Sequence, residues 1–254
     1  MVLDLFKLDG KVALVTGAGQ GLGQAMAIGL AEAGADIASL DRTGCEGTCE
    51  SVRALGRQYC ESVVDLRETT VEDLQAMVAR ILKELGPIDI LVNNAGTIRR
   101  TPAIDFSETD WDDVLQINLK AAFFLAQAVA RVMLSQGSGK IINIASMLSF
   151  QGGINVPSYT AAKSALAGIT RALANEWAKH NINVNAIAPG YMATDNTTAL
   201  RADPVRSTSI LERIPAGRWG TPEDLKGAVV FLASSASDYL NGAIIPVDGG
   251  WLAR

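Results

Sequence analysis

The fold is decided by Lys11-Val12-Ala13-Leu14-Val15-Thr16-Gly17-Ala18-Gly19-Gln20-Gly21-Leu22-Gly23. A short apolar run rich in β-formers breaks into glycines, and then Leu22, Met26 and Leu30 recur four apart, the spacing of one helix face. Strand, glycine turn and helix in that order predict the opening of a βαβ unit. The bare backbone lets a pyrophosphate approach the helix N-terminus, where free amides and the helix dipole favour an anion. Gly17, Gly21 and Gly23 are spaced GxxxGxG rather than GxGxxG, with Gly19 adding a GxGxG subset. Glycines make turns in many proteins; what gives this set meaning is its place after the first strand.

Outward from that unit, strand and helix alternate. Strands read at Asp36 to Leu40, Tyr59 to Val64, Ile88 to Val92, Lys140 to Ala145, Asn183 to Ala188 and Ala243 to Val247. Helical stretches lie between them at about 44–56, 69–85, 107–136, 157–180 and 221–234. This order predicts an α/β fold: one Rossmann-like, doubly wound parallel sheet in three αβα layers, with right-handed crossovers. No repeat, low-complexity tract or linker interrupts it, so residues 1–254 are expected to form one domain.

Composition narrows the function. A chain of 254 residues, 48% apolar and 19% charged, can bury a large core. The net charge of −5 argues against nucleic acid or an anionic membrane as the main partner. No run reaches the ~18 consecutive apolar residues of a membrane span, and Met1 to Gly10 lacks the basic-then-apolar pattern of a signal peptide. A cytoplasmic location is expected. Cys45, Cys49 and Cys60 are odd in number and His180 is the single histidine, far along the chain. Zinc usually takes about four defined ligands, so free thiols are expected and no metal.

Chemistry is expected where a doubly wound sheet binds ligands, beyond the carboxyl ends of its strands. Asp41 ends the second strand about twenty residues past the glycine loop, where a carboxylate can bind the adenine-ribose hydroxyls and repel a 2′-phosphate. NAD is therefore expected over NADP, although Arg42 beside it offers a cation for a phosphate. Asp65-Leu66, Asn93-Asn94-Ala95-Gly96, Ser146 and Pro189-Gly190 follow later strands onto the same edge. Tyr159 and Lys163, four apart on a helix, share one face. An ammonium one turn away should lower the pKa of the phenol and make it a general acid or base, with Ser146 bonding the reacting oxygen. That is chemistry for interconverting an alcohol and a carbonyl. Asn118, in a strongly apolar helical run, must be hydrogen-bonded if buried; it could hold a water leading from Lys163 to solvent, or be a satisfied core amide.

Taken in order, Thr16 to Gly23, Asn93 to Gly96, Asn118, Ser146, Tyr159 with Lys163, and Pro189-Gly190 with Thr194 resemble the motif set of the short-chain dehydrogenase/reductases, across essentially the whole chain. The resemblance implies a catalytic set of Asn118, Ser146, Tyr159 and Lys163. It also implies a cofactor cleft of Gly17, Gln20, Gly21, Leu22, Gly23, Asp41, Asp65, Leu66, Asn93, Ala95, Gly96, Pro189, Gly190, Met192 and Thr194, with Tyr159 and Lys163. Hydride would pass between a substrate carbon and the nicotinamide. A homotetramer built through the long helices and the C-terminal segment is implied in the same way.

Three phrases, Ala145 to Gly153, Asn175 to Asn185 and Ile214 to Gly220, with the tail Val247 to Arg254, are similar to the family's 2-deoxy-D-gluconate 3-dehydrogenase group, which serves uronate and pectin catabolism. Asp195 departs from that group, where asparagine is commoner. A sugar-acid substrate brings a carboxylate that suits the planar fork of an arginine. Arg99 and Arg100 at the crevice mouth and Arg213 beyond it are the candidates, with Gln151 and Tyr191 for hydroxyls. The stretch from about Met192 to Pro215 is polar and suits a lid ordered by ligand. Two rivals stand: a 3-oxoacyl-carrier-protein reductase, which would favour NADP and a basic docking face, and a non-catalytic NAD-binding sensor on the same fold.

Overall fold

Strands that are apolar throughout cannot leave either face in water, so the chain has to cover both. In the computed structural model, which describes residues 1–254, every residue of β1 (Val12–Thr16) and β6 (Ile182–Pro189) is buried. The other strands are β2 (Asp36–Asp41), β3 (Tyr59–Val63), β4 (Ile90–Asn93), β5 (Gly139–Ile144) and β7 (Ile244–Val247). They form one seven-stranded sheet in the order β3-β2-β1-β4-β5-β6-β7, with every pairing parallel. β1 lies inside the sheet and pairs with β2 on one side and β4 on the other. Strand order therefore reverses beside β1, and a crevice opens there at the carboxyl ends.

Helices α1 (Gly21–Glu32), α2 (Glu46–Ala54) and α9 (Lys226–Ala233) cover one face, burying Met26, Leu30, Val52, Val229 and Leu232. Helices α3 (Val71–Leu85), α5 (Ala122–Gln136) and α6 (Pro157–Trp177) cover the other, burying Leu74, Ile81, Leu125, Val129, Met133 and Trp177. Each such side chain stabilises the fold by about 1.5–3 kcal/mol relative to exposure. Local signals set the ends. Thr70 Oγ1 accepts from Asp73 N–H while the Asp73 carboxylate accepts from Thr70 N–H, a capping box that starts α3. Gly137 ends α5 in the left-handed conformation, φ +73°.

The helix expected over 107–136 is not continuous. After α4 (Glu108–Leu115), started by Ser107 Oγ accepting from Asp110 N–H, the backbone widens into a π-turn at Gln116–Ala121 before α5 begins. Such single turns are frequent at functional sites, and here the wide turn carries Asn118. Within Glu108–Gln136 an 18-residue window has a mean hydropathy of 1.4 and matches a membrane span by length and composition alone. It is half buried, and α5 contributes core side chains against the sheet.

Between β6 and α9 the expected lid segment forms α7 (Thr198–Ala202) and α8 (Pro204–Arg213). It is less polar than its composition suggests: Ile210 and Ile214 are buried with Met147 and Trp251 in a small cluster of their own.

Candidate active site

The glycine loop is fixed from below by asparagine and threonine. Asn94 Nδ2 donates to Thr16 O at 2.9 Å and Gly17 O at 3.1 Å. Thr16 Oγ1 accepts from the amides of Asn94 and Ala95 at 3.0 and 2.9 Å. The glycines are required by close approach: a β-carbon on Gly23 would lie 1.9 Å from Gly17 O, and Gly17 sits at φ +65°. Gln20 caps α1 without a side-chain bond, leaving the first-turn amides free. Thr194 faces this loop, its Cγ2 lying 3.8 Å from where a β-carbon on Gly21 would be. A bare-backbone cradle at a helix N-terminus fits the pyrophosphate of a dinucleotide.

Asp41 stands at the ribose end. Its Oδ2 accepts from Gly19 N–H at 2.8 Å and its Oδ1 from Thr43 N–H at 3.3 Å, so the carboxylate is held in place with lone pairs to spare. Asp65 is ion-paired with Arg67, and Leu66 is buried with the core. Asn93 is structural as placed: its Nδ2 donates to Ala122 O and Asn143 Oδ1 at 3.1 and 3.0 Å. Pro189 ends β6, Gly190 N–H donates to Val247 O, and Met192 is buried in the core beside Gly220.

Ser146 lies two residues past β5 and starts a 3-10 turn at Met147–Ser149. Its Oγ accepts from Leu148 N–H at 3.1 Å, which fixes the hydroxyl while leaving it its proton and a lone pair. Ser149 ties this turn to α6 by accepting from Ser146 N–H and donating to Lys163 O at 2.7 Å. Lys163 is 3% exposed; its Nζ donates to Ile144 O at 2.6 Å and lies 5.5 Å from the centre of the Tyr159 ring. Ser146, Tyr159 and Lys163 are thus brought together at the carboxyl end of β5.

The electrostatics differ from the sequence expectation. Burial pushes the Tyr159 phenol up, and the Ser146 hydroxyl and the Arg100 charge pull it back; Lys163 is not the cation that does so. Lys163 is itself pushed down to about 8 by burial, and its ammonium is turned onto the Ile144 carbonyl. The neighbouring cation that favours the phenolate is therefore Arg100.

Asn118 is 1% exposed. Its Nδ2 donates to Thr97 O and Val114 O, both at 2.9 Å, while its Oδ1 has no donor in the protein. A β-carbon on Gly96 would lie 2.6 Å from that oxygen, so Gly96 keeps it clear.

The arginines separate. Arg99 donates through Nε to Asp110 at 3.0 Å, through Nη2 to Asp113 at 3.3 Å and through Nη1 to Thr97 Oγ1 at 3.1 Å, so every nitrogen of its fork is engaged within the protein. Arg100 is exposed and donates to Asn196 O at 3.3 Å, bridging the mouth to the 192–215 segment. Arg213 lies 4.1 Å above the Trp251 ring. Arg218 forks onto Asp224 at 2.7 and 2.8 Å. Tyr191 meets Trp219 and Trp251 edge-on at 5.5 and 4.8 Å. Gln151 Oε1 accepts from Trp251 Nε1 at 3.4 Å. The sequence gives no site role to Ser149 or Trp251 and marks Thr16 only as the start of the glycine motif, because their partners are brought close only by folding.

The family model described as "Enoyl-(Acyl carrier protein) reductase" matches residues 17–252, and the phosphate cradle, the Ser146 turn and the Tyr159–Lys163 helix lie inside that match. This chain is a short-chain dehydrogenase/reductase. The short-chain dehydrogenase/reductase relatives include the 2-dehydro-3-deoxy-D-gluconate 5-dehydrogenase of Escherichia coli strain K12, 62% identical over 100% of both chains. The Bacillus subtilis strain 168 protein of the same name is 53% identical over 99% of this chain and 98% of its own. Among solved structures, a gluconate 5-dehydrogenase from Burkholderia cenocepacia J2315 in complex with NADP and tartrate superposes with a TM-score of 0.94 at 41% identity, covering 100% of both chains. The doubly wound sheet of this short-chain dehydrogenase/reductase is the fold those neighbours share.

Proposed function

We propose that this oxidoreductase transfers a hydride between NAD and the CH–OH or C=O of a deoxy or keto sugar acid of the 2-dehydro-3-deoxy-D-gluconate or 2-deoxy-D-gluconate type. The observation that carries the reaction is the Ser146–Tyr159–Lys163 cluster at the crevice, in a chain 62% identical to a 2-dehydro-3-deoxy-D-gluconate 5-dehydrogenase. The nicotinamide, when bound, supplies and accepts the hydride. Tyr159 gives its proton to the carbonyl oxygen during reduction and takes it back during oxidation. Ser146 donates to the same oxygen and holds it toward the phenol. Lys163 binds the ribose hydroxyls beside the ring and returns protons to Tyr159. Asn118 Oδ1, buried without a donor, accepts from a water on the path from Lys163 outward.

Arg100 binds the substrate carboxylate. It is the arginine at the mouth whose fork is not taken by acidic side chains, and its charge already acts on Tyr159. The assay is NADH absorbance with purified protein, 2-deoxy-D-gluconate and NAD, beside an Arg100→Ala variant. NAD-dependent turnover is expected, and the variant should raise the sugar-acid KM by roughly 10–100-fold, the worth of a charged hydrogen bond. Removing the cation also raises the phenol pKa, so the rise of the oxidation rate with pH should move upward in the variant. An unchanged KM would sink the assignment of Arg100; no turnover of any sugar acid would sink the function.

NAD is favoured by Asp41, whose fixed carboxylate suits ribose hydroxyls and repels a 2′-phosphate, with Arg42 beside it allowing some use of NADP. Asp41→Ala is expected to lower kcat/KM for NAD by roughly 10–100-fold and to raise that for NADP. If both cofactors lost equally, the carboxylate would not be the discriminator. The same reading carries a cytoplasmic homotetramer serving uronate and pectin catabolism, supported by three unpaired cysteines and by the exposed apolar Trp111 and Leu134 on α4 and α5.

A further inference from the structure

Gln151 follows Ser146 by five residues, and its N–H is held by Met147 O at 3.2 Å. Its side chain reaches the end of the chain, where Trp251 Nε1 donates to Gln151 Oε1 at 3.4 Å. An indole nitrogen only donates, so the amide atom facing it is the oxygen. That contact settles which way round the amide sits, which an isolated glutamine would leave open. No protein atom accepts from Gln151 Nε2, and that nitrogen keeps contact with solvent.

Trp251 is itself held on every side. It is 4% exposed. Tyr191 meets its ring edge-on, the Arg213 guanidinium covers it, and Met147, Ile210 and Ile214 pack around it. Asp248 accepts from the amides of Gly250 and Leu252 at 2.8 and 2.9 Å, which fixes the turn that carries the indole. The tail is thus a rigid support standing behind the Ser146 loop.

We infer that Trp251 is a positioning residue for substrate recognition: by occupying Gln151 Oε1, it presents Gln151 Nε2 to the crevice as a fixed N–H donor for a carboxylate or keto oxygen of the substrate. This rests on the sugar-acid reading above. A glutamine free to turn would offer its oxygen as often as its nitrogen, and an acceptor-rich substrate would meet repulsion half the time. With Oε1 occupied, only the donor is on offer, and a recognition residue on the Ser146 loop is set by one at the far end of the chain.

The test is a double-mutant cycle of Trp251→Phe and Gln151→Ala, read as sugar-acid KM and kcat with thermal midpoints alongside. Phenylalanine keeps the aromatic stack and the surface under Arg213 but has no N–H. Each single variant is expected to raise KM by roughly 3–10-fold with kcat within about twofold, the effect of one hydrogen bond. The double variant should be no worse than Gln151→Ala alone. Gln151→Glu, which can accept from the indole but cannot donate to substrate, should raise KM further than Gln151→Ala. The inference is overturned if the two KM effects multiply, if Gln151→Ala leaves KM unchanged, or if Trp251→Phe lowers kcat and the thermal midpoint together as a packing defect. Wild-type turnover of sugar acid with multiplying effects removes this inference alone, whereas no wild-type turnover of any sugar acid removes the functional reading and this inference with it.

Discussion

Tyr159→Phe should lower kcat by about 10²–10⁴-fold, the usual worth of a general acid or base, while leaving the dissociation constant for the dinucleotide within a few-fold. The substitution deletes one oxygen and keeps the half-buried ring, so the packing of this first turn of α6 survives. What is lost is the group at the crevice whose proton can pass to or from a substrate oxygen. The direction of the pH dependence follows from the forces on the phenol. Burial raises its pKa and opposes the phenolate; Ser146 and Arg100 partly reverse that. Oxidation needs the phenolate, so its rate should climb with pH until the phenol has titrated, whereas reduction needs the phenol and should fall over the same interval. Stopped-flow hydride transfer and cofactor titration by fluorescence check the two halves of this expectation. Retention of a tenth or more of the wild-type rate would show that another group moves the proton.

Lys163→Met should abolish turnover to a comparable extent and at the same time change how stability depends on pH. Burial holds Lys163 down to about 8, from an ordinary value of 10.5. Between those values the unfolded chain carries the proton and the folded chain does not, so wild-type stability rises with pH there, by about 1.4 kcal/mol per unit. Below about pH 8 both states carry it and the full penalty of burying a charge is present. Above the unfolded value neither does and the penalty is gone. The sum is about 3 kcal/mol, reduced by whatever the Lys163–Ile144 O bond returns. Methionine has no proton to bind, so the stability of the variant relative to wild type should grow as pH falls from about 10 to 8 and level off below. Urea unfolding of the cofactor-free proteins across that range measures it. Parallel stability curves would mean that the ammonium is not penalised in the folded protein.

The alternation of strands and helices was legible because it is written in local patterns. β1 through α1 is a run of β-formers, a cluster of glycines and an i, i+4 apolar stripe, each with a direct conformational cause. The Tyr159–Lys163 spacing was equally plain, since helix geometry alone places the two on one face. The π-turn was not, because widening one turn changes no side-chain polarity, and the apolar run from Leu115 to Phe124 reads as uninterrupted helix. Nor could adjacent arginines be told apart. Arg99 is taken by Asp110 and Asp113 on α4, whereas Arg100 reaches Asn196, and that division depends on where the chain folds back. The source of the charge acting on Tyr159 escaped for the same reason: a lysine one turn away on the helix is visible in sequence, but its turning to a carbonyl of β5 is not.

The staple between Thr16 and Asn94 has a consequence for how ligands arrive. Fixing the backbone of a flexible loop costs about 1–2 kcal/mol per residue, and a loop ordered only on binding would subtract that from the affinity of its ligand. Here four hydrogen bonds between the ends of β1 and β4 order the phosphate cradle as part of folding. The opposite wall, from Met192 to Pro215, meets Arg100 at the mouth through one long bond to Asn196 O and is anchored by the buried side chains of Met192, Ile210 and Ile214. The phosphate side of the crevice is thus a finished mould before any ligand arrives, which favours ordered addition: dinucleotide first against the mould, the second substrate after it.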